Sequence, residues 1–290
     1  MPEGDAVWRT ARRLHDALAG DALVLSDVRW PSLATADLRG WTTVEVIPRG
    51  KHILHRLRSP QGATWTLHSH LRMDGTWRVA PARAKRPTGH RVRVLLGTTR
   101  VTAAGSSLGM LDLVPTGEER RLVGHLGPDL LGPDWDAARA VANLRADGGP
   151  LGPALLDQRH LAGIGTLWAA ESLFAERRHP LTPVAELTDA DLLALVERAR
   201  VLMERSLVTG RGSEQNGPRA PVGGERYRPS PDRQGAGETF HAFARVGRPC
   251  HRCGTPIAQL DAGPRAQERG FSFCPACQPD KDRGGQVTLG

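Results

Sequence analysis

The residues best placed to do chemistry stand at the two ends of the chain. Near the C-terminus, "CHRCGTPIAQLDAGPRAQERGFSFCPACQ" sets Cys250 and Cys253 with two residues between them, and repeats that spacing twenty residues later at Cys274 and Cys277. Each C-x2-C turn offers two thiolates, and two such turns complete a tetrahedron around Zn2+. With all four positions filled by protein, the expected metal is one structural Zn2+ per chain, not a catalytic one. Arg252, Arg265 and Arg269 decorate this segment and give it the charge of a phosphate-contacting hairpin. At the other end, "MPEGDAVWRT" places Pro2 beside Glu3 and Asp5, where most chains fray. By themselves a terminal proline and first-turn acids require no function.

The elements that position these residues can be read from periodicity. Asp5 is expected as the N-cap of a first helix, in which Val7, Ala11, Leu14 and Leu18 recur at helical spacing and which Gly20 closes. Short runs of strand character follow: "ALVLSDVRW", "TTVEVIP", "KHILHRLR", "TWTLHSHLRM", "TWRVA", "HRVRVLLG" and "TRVTAAG". They predict an antiparallel sandwich or barrel over roughly 20–115. Trp65, Leu67, Leu71 and Met73 share one strand phase, which suits a core. Asp74-Gly75, however, is a hairpin signal that would put Met73 at an exposed tip.

From about 119 the period turns helical, through "EERRLVGHL", "WDAARAVANLRA", "GPALLDQ", "TLWAAESLFAERR" and "TDADLLALVERARVLMERSL". Thr188 with Asp191 forms the cap pattern of the last of these. Residues 209–238 are rich in Gly, Pro and Arg without periodicity and read as a mobile loop or linker.

The chain has 290 residues, 39% of them apolar, with 39 Lys and Arg against 31 acids and a net charge of +8. The mean hydropathy of −0.36 and sequence pI of about 10.3 describe a soluble protein suited to a polyanionic partner, nucleic acid before a membrane surface. No run approaches the ~20 apolar residues of a membrane span. Clustered cysteines without a secretory pattern point to a reducing, cytoplasmic setting.

One further motif makes the reading specific. "LLDQRHLAGIGTLWAAESLF" is a helix, a double turn marked by Gly163 and Gly165, and a second helix whose N-terminus suits a phosphate. Together with "MPEG", "RGKHIL", "SHLRMDG" and the cysteine ribbon, it resembles the formamidopyrimidine-DNA glycosylase/endonuclease VIII family over nearly the whole chain. The resemblance implies an α+β multi-domain protein. Residues 1–115 would form an N-terminal catalytic β-sandwich domain with its N-terminal helix, and 119–208 a helix–two-turn–helix DNA-binding domain. Residues 240–278 would form a zinc finger hairpin.

It also implies roles. Once the initiator Met is lost, Pro2 is the nucleophile. A secondary amine attacking the deoxyribose C1′ gives an iminium that has no N–H proton to lose, so the cation persists as an electron sink. An α-amino group titrates near neutrality, and the positive end of a helix further favours its neutral form. Glu3 is then the acid/base, and Lys51 a catalytic or phosphate-binding residue. Met73 would fill the gap left by a flipped nucleotide, with Arg72 on the orphaned base. Arg269, Gly163, Gly165 and Thr166 would contact the DNA backbone. Glu171 is assigned to structure, and His52 and His70 are read as ordinary histidines.

The chain departs from the family pattern at three places. Thr166 stands where Asn is usual, although Thr can still cap the helix. Phe243-Ala244 replaces Tyr-Gly, and "TAAGSSLGM" replaces the Arg-Arg-Phe-Gly loop of the oxidised-purine branch. The expected function is therefore that of an endonuclease VIII-like, bifunctional glycosylase/lyase acting on oxidised pyrimidines in damaged double-stranded DNA. It would act as a monomer with no membrane partner. The alternatives are an oxidised-purine glycosylase and a catalytically silent DNA-binding zinc protein.

Overall fold

The computed structural model describes residues 2–209 and 240–280. Residues 210–238 of the expected linker and the tail from 281 onward lie outside the described residues. The described chain forms two compact units, one up to His125 and one from Leu126 onward.

The first unit opens with α1 (Gly4–Leu18), whose Val7, Ala11, Leu14 and Leu18 are all buried. Asp5 is not its N-cap. Glu3 holds that position in extended conformation, and Asp5 lies within the first turn, where it pairs with Arg9 at 3.0 Å. Gly20, with φ of +83°, turns the chain after the helix ends.

Eight strands follow: β1 (Leu25–Val28), β2 (Thr42–Arg49), β3 (His52–Arg58), β4 (Thr64–His70), β5 (Thr76–Pro81), β6 (Val92–Gly97), β7 (Val101–Ser106) and β8 (Met110–Pro115). They make two four-stranded antiparallel sheets, ordered β1-β6-β7-β5 and β2-β3-β4-β8. Leu57, Leu67 and Leu111 of one sheet share a core with Trp77, Val94 and Ala103 of the other, and with the apolar stripe of α1. The sequence runs located seven of the strands. β8 escaped them because the Gly and Ser before it read as loop.

The hairpin expected at Asp74-Gly75 does not form, since β4 and β5 belong to different sheets. Residues 71–75 instead carry the chain across from one sheet to the other, closed by the Gly75 N–H donating to the Leu71 carbonyl at 2.8 Å. A second crossing, 107–109, returns from β7 to β8. The two lie side by side, because the Gly109 N–H donates to the His70 carbonyl at 2.9 Å.

In the second unit, α2 (Arg120–Val123) having closed the first, stand α3 (Ala137–Asp147), α4 (Leu151–Leu156), α5 (Thr166–Ala175) and α6 (Asp189–Thr209). The cap of α6 is reciprocal. The Asp191 N–H donates to Thr188 Oγ1 at 3.2 Å, and the Thr188 N–H to Asp191 Oδ2 at 3.0 Å. A hairpin of β9 (Ala258–Ala262) and β10 (Arg269–Phe273) completes the unit. Its Ala262 and Phe271 belong to the helical core, and Gly152 on α4 admits the Phe271 ring, which a Cβ there would meet at 3.0 Å.

Candidate active site and nucleic-acid interface

In the first unit, Pro2 is buried immediately before α1, and Glu3 is only 2% exposed. The helix they precede lies against β2 and β3. Those two strands are joined by a two-residue turn, Gly50-Lys51, because Arg49 pairs with His52. Gly50 adopts φ of +57°, which a side chain resists, and so the turn presents Lys51 at the sheet end.

Beside Lys51 the structure gathers histidines that the sequence reading treated as ordinary. The register sets His52 opposite His70. His52 Nδ1 lies 2.7 Å from His68 Nε2, and His68 Nδ1 lies 2.8 Å from Asp112 Oδ2. With the Asp112 carboxylate accepting from Nδ1–H, His68 Nε2 is an acceptor and His52 donates to it. Burial, helped by the nearby His70, His68, His125 and Arg72, pushes His52 down to about 3. Burial together with Arg72 and Lys51 pushes His70 down to about 4. Both rings are therefore neutral at neutral pH. His70 Nδ1 accepts the Arg72 N–H at 2.9 Å, so its proton sits on Nε2 as a donor. Three histidines at alternating strand positions were the available signal, but their convergence depends on the β3–β4–β8 register.

Leu67 and Leu71 are buried as the shared phase predicts, but Trp65 is only half-buried and Met73 is 63% exposed, so the core reading fails at both ends of the run. Arg72, next to it, is exposed and adopts φ of +53°.

In the second unit the double turn is built by Gln158, a residue the sequence reading passed over. Its Nε2 donates to the carbonyls of Leu156 and Ile164, both at 3.0 Å, and its Oε1 accepts the Gly163 N–H at 3.0 Å. The Gly163 N–H is thus taken up within the turn and does not face outward; Gly163 serves it through a φ of +101°. Gly127 fits against the same turn, where a Cβ would strike the Arg159 and His160 carbonyls at 2.5 Å. Thr166 does not cap α5. Gly165 occupies the N-cap, and half-buried Thr166 is the first helical residue. Glu171 is structural as expected, for its buried carboxylate accepts the N–H groups of His241, Ala242 and Phe243 at 2.8–3.2 Å.

The four cysteine sulfurs lie within 4.8 Å of one another. The pairs 253–274 and 253–277 are 3.5 Å apart and 250–277 is 4.0 Å. A tetrahedron with metal–sulfur bonds of ~2.3 Å has edges of about 3.8 Å, so the cluster fits a metal ion. Arg252 and Cys277 direct backbone N–H groups at the Cys250 and Cys274 sulfurs, each at 3.4 Å. Hydrogen bonds from Thr255 bring the Cys253 thiol down to about 6, which favours its thiolate. Arg252 does not decorate the ribbon for DNA. It stacks 4.1 Å from the centroid of Phe174 and donates to the carbonyls of Phe174 and Ala175, tying the first knuckle to the end of α5. Arg269 is exposed at the start of β10.

A β-sandwich headed by a proline-started helix, with a second unit of helix–two-turn–helix and four-cysteine hairpin, defines a class of DNA glycosylase folds. Comparison with known proteins agrees. The formamidopyrimidine-DNA glycosylase N-terminal domain matches residues 1–112, and the formamidopyrimidine-DNA glycosylase H2TH domain matches 126–216. The chain belongs to the formamidopyrimidine-DNA glycosylase/endonuclease VIII family. Among its relatives, "Probable endonuclease 8 2" of Streptomyces coelicolor is 47% identical, over 100% of this chain and 99% of that protein. "DNA-(apurinic or apyrimidinic site) lyase Nei2" of Mycolicibacterium smegmatis is 40% identical, over 96% and 99%. The fold is shared with the Lactococcus lactis Fpg solved with abasic-site DNA, at a TM-score of 0.77 and 22% identity over 96% of this chain and 100% of that one. No helix among the described residues is long and apolar enough to cross a membrane.

Proposed function

We propose that this chain, a DNA glycosylase with abasic-site lyase activity, excises oxidised pyrimidines from double-stranded DNA and cuts the strand through Pro2. With Met1 removed, the Pro2 nitrogen attacks C1′ and the damaged base leaves with the bonding pair. Glu3 supplies the proton that opens the sugar, and the resulting iminium acidifies C2′, so that elimination breaks the 3′ C–O bond. Lys51 and the neutral His70 hold the adjoining phosphates. Met73 enters the vacated stack, with Arg72 at the unpaired base. Gly165 and Thr166, on the turn shaped by Gly163, and Arg269 on the ribbon grip the backbone. Residues 1–115 are the catalytic domain, 119–208 and 240–278 the DNA-binding parts, and Zn2+ on the four cysteines fixes the ribbon. The enzyme works as a cytoplasmic monomer.

The observation that carries this reading is the buried pair at the chain start, an acid that is 2% exposed directly after Pro2 and ahead of α1. A terminal secondary amine directly followed by an acid puts a nucleophile and a proton donor side by side in the chain, which is what opening a sugar through an iminium requires. The preference for pyrimidines is supported by the endonuclease 8 names of the nearer relatives and by Ser106, Ser107 and Leu108 standing in place of the arginine-bearing loop of the purine branch.

Borohydride reduction on an abasic-site duplex tests the mechanism. A covalent adduct mapping to Pro2 is expected, and a form retaining a residue ahead of Pro2 should bind DNA yet trap nothing. An adduct on Lys51 would refute the mechanism. In single turnover, dihydrouracil or thymine glycol should be released ahead of 8-oxoguanine opposite cytosine; the reverse order would favour the purine reading.

A further inference from the structure

The His70 ring is held on two sides. Its Nδ1 accepts the Arg72 N–H at 2.9 Å. Its other neighbour is the His52 ring, directly opposite on β3, with centroids 4.8 Å apart and planes at 76°. The proton of neutral His70 therefore sits on Nε2, which has no acceptor among the described residues. His70 is only half-buried, so this donor is open to an incoming group. His52 is in turn fixed from behind. Its Nδ1 lies 2.7 Å from His68 Nε2, and the two rings stack at 25° with centroids 5.0 Å apart. His68 is wholly buried, and beyond it Asp112 Oδ2 lies 2.8 Å from His68 Nδ1.

This row of groups has a direction, and Asp112 sets it. A carboxylate only accepts, so His68 places its proton on Nδ1 and leaves Nε2 as an acceptor. His52 then carries its proton on Nδ1, aimed at His68. Without Asp112 the 2.7 Å contact would run equally well from His68 Nε2–H to His52 Nδ1, and the His52 proton would move to Nε2. Burial lowers His68 against the pull of its hydrogen bond to Asp112, and the facing groups Lys51, Arg72 and His125 act with burial to lower His70 or His52. The rings stay neutral, with each proton at one atom. Asp112 itself stands on β8, two strands from His52, with its side chain 41% exposed.

We propose that His52, His68 and Asp112 are positioning residues, a row across β3, β4 and β8 that aims His70 Nε2–H at a DNA phosphate. This rests on the function proposed above, in which His70 and Lys51 hold the phosphates beside the damaged nucleotide. The two donors differ in what they need. An ammonium on a flexible stem swivels to meet its acceptor. An imidazole N–H points one way in the plane of its ring, and the bond weakens steeply once bent below ~120°. Lys51 needs no support of this kind, whereas His70 delivers its bond only if its ring plane and tautomer are fixed. Arg72 N–H fixes the tautomer, and the row fixes the ring that His70 leans on. None of the three acts on DNA except through His70.

Two measurements test it. NMR of the histidine ring nitrogens in the free protein should find the proton on Nδ1 in His52 and His68 and on Nε2 in His70. Asp112→Ala, a change at a partly exposed side chain, should move part of the His52 proton to Nε2. A His52 proton already on Nε2 in the wild type, or one unmoved by Asp112→Ala, would overturn the row, and neither reading depends on a core variant folding. The second measurement is affinity for a duplex with a tetrahydrofuran abasic analogue. His70→Ala should weaken binding on the order of tenfold, as for loss of a hydrogen bond to a charged group. His68→Leu should weaken it roughly threefold, and the His68→Leu/His70→Ala double variant should bind no worse than His70→Ala alone. His68→Gln keeps an amide oxygen for His52 Nδ1–H and should restore most of the loss. Losses that add in the double variant, a Gln variant as weak as the Leu one, or an unchanged affinity in His70→Ala would each overturn the proposal. Trapping at Pro2 with additive losses would refute the row alone. Coupled losses in a protein that traps nothing would support the row and refute the proposed function.

Discussion

Burial sets the protonation of single side chains in the sandwich, and this has a measurable consequence. His55 is fully enclosed, with Nε2 2.9 Å from Thr43 Oγ1, and burial pushes it down to about 3. His52 and His70 are held at about 3 and about 4. Unfolded, each returns to about 6.5, so below that pH the unfolded chain binds protons that the native chain refuses. Stability is therefore complete above about pH 7 and falls as pH drops through 6.5 toward the folded values. Each such group contributes a slope of up to about 1.4 kcal/mol per pH unit. The melting temperature should decline between pH 6.5 and 5, where most carboxylates remain ionised. His55→Gln, which keeps a partner for Thr43, should flatten that decline; an unchanged slope would place the titration elsewhere.

Elements in this protein are joined by a few polar ties over apolar contacts. The β9–β10 hairpin reaches the helices through Phe271, through Arg252 on the end of α5, and through the Glu171 carboxylate holding 241–243. The sulfurs hold the knuckles, and buried Cys250 and Cys274 also pack with Phe174, Ala242 and Ile257. Metal binding is then a local folding event, coupled to thiol ionisation. Cys253→Ser should lower zinc below one per chain by elemental analysis and weaken DNA binding, while the two-sheet unit keeps its melting transition. Undiminished zinc in that variant would remove these cysteines as ligands. Chelation of the wild-type protein at neutral pH should give the same partial loss.

Across the whole chain, a charge of +8 adds a long-range attraction to DNA that does not depend on any one contact. Arg269 should stand out from that background. If it holds a phosphate, Arg269→Ala should lower affinity at every sequence and reduce the slope of log affinity against log salt by about one unit. An equal slope in both proteins would make it a solvated charge like its neighbour Arg265.

Much of this protein was open to reading from sequence alone, and for physical reasons. Helical stripes such as Val7, Ala11, Leu14 and Leu18 report local periodicity, and paired C-x2-C turns report ligand geometry within a few bonds. Glycines at Gly50 and Gly163 mark turns that side chains resist. What had to wait for tertiary structure was whatever depends on which strand lies beside which. Asp74-Gly75 looks like a hairpin until β4 and β5 prove to lie in different sheets. His52, His68 and Asp112 come from three strands, and only their register brings the rings within 2.7 Å. The emptiness of Gly109 means nothing until Arg72, 37 positions earlier, is found lying across it. Local pattern fixes the elements, because it acts between near neighbours. The site belongs to long-range pairing, whose partners no short window contains.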